Sequence, residues 1–190
     1  MNIDTRYLIR WGIPGWILII TLGLYFLLLD EGEDLISLFT ENATNLLAAA
    51  ALVVVGGIPV GYILNQIHHV WVWVLKVNHY KYFKMEMELF QIFLKGEEGK
   101  RIEDRYRYLL ARIHELGGIL VALIIAFFII LFHFSIIYFL YGSINIVSLT
   151  FMVVIAVVGI FILISKNYYQ KNMEAFISFF GIDYKTLKKK

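Results

Sequence analysis

The chain contains no cysteine, and only 17% of its 190 residues are charged. The lack of cysteine excludes disulfides, thiolate metal sites and cysteine nucleophiles. Hydrophobic residues make up 60% of the sequence, which is more than a soluble domain of this length carries. The composition therefore predicts a single compact unit of all-α class, embedded in a membrane.

Basic residues are missing from four long apolar runs. All 17 lysines and arginines lie within residues 6–10, 76–112 and 166–190. A charge at the centre of a bilayer costs about 3 kcal/mol, and short loops rich in lysine and arginine stay in the cytoplasm. The connection at residues 30–42 carries five acidic residues and no basic one. We therefore predict four transmembrane helices in the plasma (inner) membrane, with both termini and the central segment cytoplasmic.

The predicted spans divide the chain into four parts. Residues 1–75 hold an N-terminal interfacial segment and spans one and two, residues 76–115 a cytoplasmic helical hairpin, residues 116–165 spans three and four, and residues 166–190 an amphipathic basic tail. The second apolar run, residues 43–75, would be about 50 Å long as a helix, against a hydrocarbon layer of about 30 Å. We expect it to bend at a hinge of Gly56, Gly57, Pro59 and Gly61, because proline removes a backbone hydrogen bond.

The central segment predicts an antiparallel helical hairpin formed by extensions of helices 2 and 3. Apolar residues in each half follow alternating three- and four-residue steps, which is typical of coiled-coil seams. The first seam is Tyr80, Phe83, Met87, Phe90 and Leu94, and the second is Ile102, Tyr106, Leu109, Ile113 and Leu116. Residues 96–99 have the length of a turn between two helices.

A second line of apolar residues on the first hairpin helix must pack against another element. It consists of Tyr82, Met85, Leu89 and Ile92 and lies on a different face from the seam. Either the tail covers it, through Tyr169, Met173, Phe176 and Phe180, or a neighbouring subunit does. The sequence leaves both alternatives open.

The second span carries a polar stripe. Gly57, Gly61 and Asn65 recur at every fourth position, and Tyr62, Gln66, His68 and His69 lie close to them. Small residues at this spacing let helices approach closely, and an amide can bond across the interface. The stripe therefore indicates either plain helix packing with a kink or a pore-facing strip that contains Tyr62, Asn65, Gln66 and His69.

Histidines approach the inner boundary on two spans. His68 and His69 end the second span and His114 begins the third, so antiparallel neighbours can bring the three rings together. Such a group can hold haem or a metal ion, but polar helix ends are the plainer interpretation and we assign no cofactor. His133, in the outer part of the third span, is expected to be packed, hydrogen-bonded and neutral.

A basic stripe marks the second half of the hairpin. Arg101, Arg105, Tyr108 and Arg112 fall within about 60° on one helix face. The stripe can bind lipid headgroups, RNA, a nucleotide or a cytoplasmic protein. The alternative is a solvated face paired with nearby acidic residues.

Two residues of the hairpin carry a resemblance. Arg107 and His114 resemble the Arg-x4-6-His pattern of HEPN-type ribonucleases, although the residue after the arginine is Tyr108, where that family usually has a polar residue. The resemblance implies a cytoplasmic effector of the kind found in prokaryotic antiviral defence. It covers these two residues alone, and no family follows from it.

No diagnostic catalytic motif occurs, so we expect no enzyme. An energised transporter is disfavoured because the spans lack buried carboxylates. The leading hypothesis is a homo-oligomeric channel or membrane-permeabilising protein regulated through the cytoplasmic stalk. The alternative is a non-conducting anchor or adaptor for a soluble partner, and a haem-binding redox subunit ranks third.

Overall fold

The computed structural model describes residues 5–29, 43–75 and 77–182. Of these residues 91% are helical, and they contain no strand. The helices are α1 (Thr5–Leu27), α2 (Ala43–His69), α3 (His79–Phe93), α4 (Gly96–Tyr141) and α5 (Ile146–Phe179). The all-α class is thus confirmed. The acidic connection at residues 30–42 and the lysine-rich end at residues 183–190 lie outside the described residues.

Three helical segments of the described chain are long and apolar enough to cross a membrane. They are Ala50–Val72, Gly96–Tyr141 and Ile146–Phe179, and α1 adds a shorter apolar segment, Trp11–Leu27. Large apolar side chains on these helices point away from the protein, among them Leu52, Phe132 and Phe161. Such exposure suits a lipid surrounding. The prediction of a helical membrane protein is confirmed at this level.

Polar side chains set the ends of two helices. Asn78 Oδ1 accepts a hydrogen bond from the Lys81 amide at 3.2 Å and starts α3. Asn145 Oδ1 accepts one from the Ser148 amide at 3.0 Å and starts α5. Both are N-caps of the usual kind. Gly142 ends α4 with φ of 64°, a conformation that glycine adopts at little cost.

The exit from α2 differs from the predicted continuous extension. A π-helical turn at Val70–Val74 follows α2, and the Leu75 amide donates to the Val70 carbonyl at 3.1 Å. The chain then breaks before α3, because the Asn78 side chain takes over as the cap of a new helix. The predicted hinge itself lies within α2, which is helical through Pro59.

α4 runs without a break from Gly96 to Tyr141. The predicted turn at residues 96–99 is therefore wrong, because these residues are already helical. The 46 residues of α4 correspond to about 70 Å at 1.5 Å per residue. The C-terminal end of α3 lies beside the start of α4, since the Phe93 and Tyr106 rings are 5.8 Å apart. The antiparallel arrangement of the two helices stays a prediction.

The polar ends of α4 and α5 pack with α3 around one core. The buried residues come from α3 (Met85, Leu89), α4 (Tyr106, Leu109, Ile113), α5 (Met173, Ile177) and the segment after it (Ile182). Tyr169, Phe176 and Phe180 pack against this core. Met173 and Ile177 of the tail share this core with Met85 and Leu89, which favours the tail of the two alternatives left open by the sequence.

The seam predicted for α3 is wrong. Tyr80, Phe83, Met87, Phe90 and Leu94 are 50–81% exposed, whereas Met85 and Leu89 are buried. Both lines have helical periodicity, so the pattern alone could not decide which of them faces inward. The core that α3 forms with residues of α4 and α5 contains the second line and not the predicted seam. On α4, three of the five predicted seam residues are buried, namely Tyr106, Leu109 and Ile113.

Candidate functional site

Glycines let α1 and α2 cross in close contact. A Cβ atom on Gly15 would collide with the Gly57 backbone, and one on Gly61 with the carbonyl of Trp11. Trp16 lies against Gly57, and its indole Nε1 donates to the Val54 carbonyl at 3.0 Å. Glycine at both contact positions is what close helix crossing requires. The packing interpretation of the stripe therefore holds for Gly57 and Gly61.

His68 is enclosed between α2 and α4. It is 3% exposed, and its ring occupies the space where a Cβ atom on Gly117 would lie. One helical turn before it on α2, Asn65 packs in the same way against Gly118. Neither ring nitrogen of His68 has a hydrogen-bond partner among the described atoms. A neutral imidazole can donate one hydrogen bond and accept one, so His68 is a buried polar group with unused hydrogen-bonding capacity among the described residues.

The three histidines predicted to meet do so at the α2–α4 boundary. The ring centroids of His68 and His114 are 5.8 Å apart, and those of His69 and His114 are 6.1 Å apart. Within the described part of the chain, no group of three or more histidine, cysteine or acidic side chains is placed to hold a metal ion. The geometry thus gives aromatic edge contacts between helices, with no convergent set of ligands.

The remaining residues of the stripe separate into two environments. Asn65 is half-buried, while Gln66 and His69 are exposed. Tyr62 is 46% exposed and its ring lies 5.6 Å from that of Trp11. A polar outward face of α2 therefore consists of Tyr62, Gln66 and His69, and we refer to it as the α2 polar face.

A second polar cluster joins α1, α4 and α5. The Tyr25 hydroxyl is 2.6 Å from His133 Nδ1 and 2.8 Å from Ser148 Oγ, and Tyr25 and Ser148 are fully buried. The prediction that His133 is packed and hydrogen-bonded is confirmed. Sequence reasoning missed Tyr25 and Ser148, because residues more than 100 positions apart carry no local signal of contact.

The basic stripe on α4 forms a stack on Tyr108. The guanidinium carbons of Arg105 and Arg112 lie 5.7 and 5.6 Å from the centre of its ring, a distance typical of cation–π contact. A hydrogen bond from Tyr169 and a second from Arg112 lower the pKa of Tyr108 below its ordinary value. Arg112 also binds Glu115 at 2.8 Å, while Arg101 lies exposed near the start of α4. The stripe is thus partly paired and partly open.

The residues that resemble the ribonuclease pattern lie in different surroundings. Arg107 Nε donates to Glu103 at 2.8 Å on the exposed face of α4. His114 instead packs against the rings of His68 and His69. Each residue thus makes its own local contact, one with a carboxylate and the other with the histidines of α2.

The features that could carry function are therefore the α2 polar face, the buried His68 and the Tyr108 stack. α4 links the last two of these features. Gly117, near the middle of α4, contacts His68, and the Tyr108 stack lies nearer the start of the same helix. No protein-family model, no curated protein and no solved structure matches the chain.

Proposed function

We propose that the chain is a four-span membrane protein with cytoplasmic termini that assembles into a homo-oligomeric channel or membrane-permeabilising pore. The positions of the basic residues support this orientation. Three long apolar helices and the shorter apolar segment of α1 supply the spans. The core of Met85, Leu109 and Met173 then belongs to a cytoplasmic bundle of α3 with the polar ends of α4 and α5.

The observation that carries this proposal is the α2 polar face. One side of α2 is covered by α1 and α4, and Gln66 is exposed on the other side, between Tyr62 and His69, which are exposed but border Trp11 of α1 and His114 of α4. A carboxamide that faces hydrocarbon without a partner costs about 2–7 kcal/mol. Contact with other subunits around an aqueous path removes that cost, and a ring of subunits places these residues along the path.

Control by the cytoplasmic bundle follows from the continuity of α4. A partner or anion bound at Arg105 and Arg112 acts on the same helix whose Gly117 supports the His68 ring. A shift of α4 therefore changes its contact with His68 and, through it, the position of α2, which carries the polar face. Physical continuity of this kind can couple two sites when the element has two arrangements.

The test is ion flux in liposomes that contain the purified protein. Gln66→Leu removes the amide of the α2 polar face, and we expect the flux to change severalfold. Gln170→Leu makes the same chemical change on the cytoplasmic end of α5 and serves as the matched control, with unchanged flux. A tight bilayer that contains correctly folded protein would refute the channel.

A non-conducting anchor is the second candidate, and the Tyr108 stack favours it. Tyr108 is exposed between two guanidinium groups, an arrangement that can receive a phosphate or a planar anion. In this case the liposomes stay tight. Replacing Arg105 and Arg112 with alanine then abolishes binding of a single-stranded oligoribonucleotide or a phosphorylated peptide and leaves the helical content unchanged.

A further inference from the structure

The exposed face of α3 is unusual for a helix outside a membrane. We call Tyr80, Phe83, Met87, Phe90 and Leu94 the α3 outer face; these side chains are 50–81% exposed. The opposite side of the same helix is closed by the core around Met85 and Leu89. The described residues of the same chain therefore leave the α3 outer face exposed.

The size of this face fits a specific contact. A large aromatic side chain offers about 150–250 Å², so the exposed fractions correspond to about 600 Å² of mainly apolar surface. Pairing of two such faces would bury about 1,200 Å², the lower end of the range of specific interfaces. The alternating three- and four-residue spacing is the seam pattern of a two-stranded coiled coil.

The membrane fixes how two copies can meet. Copies inserted in the same orientation are related by an axis along the membrane normal. In the predicted hairpin α3 is antiparallel to α4, and α4 continues into its own apolar segment, so α3 is expected to lie roughly along that normal. Two copies of α3 that face each other are then parallel.

The residues beside the seam suit a parallel pair. His79 and Glu86 flank one side of the seam, and Lys84 and Gln91 flank the other. In a parallel coiled coil each residue of the first side meets the residue five positions later in the second copy. Glu86 then meets Gln91 and His79 meets Lys84. No two side chains of like formal charge oppose each other.

Lipid is a poorer occupant of this face. α3 leads away from the membrane end of α4, since Phe93 lies beside Tyr106 and close to Gly99. Lys81 and Lys84 balance the charge of Glu86 and Glu88 on this helix, so the face offers no net positive charge to an anionic inner leaflet. The position of α3 thus favours protein over a lipid surface.

We infer that the α3 outer face binds the same face of a second copy in a parallel coiled coil. The inference rests on the proposed homo-oligomer and names the contact that holds two subunits together. It makes the cytoplasmic bundle, in addition to the spans, a site of assembly.

The absence of cysteine makes the test direct. Full-length Met87→Cys and Glu88→Cys variants are compared in native membranes under mild oxidation. Met87 faces its own copy in the proposed pair, and a disulfide needs Cβ atoms within about 4.5 Å, so we expect Met87→Cys to form covalent dimers about tenfold faster than Glu88→Cys. Equal rates at the two positions would overturn the inference.

Two further measurements separate the alternatives. Met87→Lys should reduce the mass of the detergent-extracted particle while the helical content stays at the wild-type value, and an unchanged mass would count against the interface. A Met87→Cys side chain that resists a water-soluble maleimide without forming dimers would assign the face to lipid and overturn the inference. Rapid dimer formation in a protein that passes no ions would uphold the interface and reject the channel.

Discussion

The contact between His68 and Gly117 can be tested by adding one methyl group. In Gly117→Ala the new Cβ would overlap the imidazole ring of His68. The ring is enclosed between α2 and α4 and cannot rotate away into open space. Overpacking of this kind costs about 1–3 kcal/mol. For a chain of this length that corresponds to a fall in melting temperature of about 2–12 °C, at about 2–4 °C per kcal/mol.

The assay is thermal unfolding in detergent, followed by circular dichroism, with Gly159→Ala as the matched control. Gly159 lies in the apolar part of α5 and has open space where its Cβ would be. Alanine there should leave the melting temperature unchanged or raise it slightly, because glycine is the poorer helix former by about 1 kcal/mol. The two substitutions are chemically identical and differ only in the neighbour that they meet.

A double variant makes the explanation specific. His68→Ala/Gly117→Ala removes the ring that the methyl group would strike, so the second substitution should cost much less in this background than in the wild type. Equal melting temperatures for Gly117→Ala and Gly159→Ala would refute the contact. Equal costs of Gly117→Ala with and without His68 would show that another neighbour is responsible.

Two other predictions test the packing of the helices. Leu89→Ala should lower the free energy of unfolding by about 2–5 kcal/mol, because Leu89 is fully buried. Leu94→Ala, on the α3 outer face, should have little effect on this free energy in monomeric protein. A larger loss for Leu94→Ala than for Leu89→Ala in denaturant titration would favour the seam predicted from the sequence. Tyr25→Phe should lower the free energy of unfolding by about 1–3 kcal/mol, because it leaves buried polar groups on His133 and Ser148 without their shared partner. Tyr138→Phe, at an exposed position on α4, is the control, and equal stabilities would contradict the buried cluster.

Sequence patterns predict the long helices of this fold but not which face of a helix is buried. The apolar run after Leu116 and the turn at residues 142–145 follow from hydropathy and from Gly142 and Asn145, which act locally. On α3 two apolar lines are equally periodic, so the partner helix decides which one is buried. The meeting of His68 with His114 was predictable from their similar depth on antiparallel spans. The Tyr25–His133–Ser148 cluster was not, because it depends on the relative rotation of three helices.

The position of the two adjacent glycines on α4 links these observations. Gly117 and Gly118 lie where the polar part of α4 gives way to its apolar part, and His68 and Asn65 of α2 occupy the space above them. Side chains at these two positions would hold α2 away from α4, so the glycines set the distance between the helix of the polar face and the helix of the Tyr108 stack. If two copies pair through α3, we expect pairing to affect α4 through the core that contains Leu89 and Leu109. The His68 ring of α2 lies against Gly117 of α4, so we expect His68 to be the contact through which assembly affects the α2 polar face.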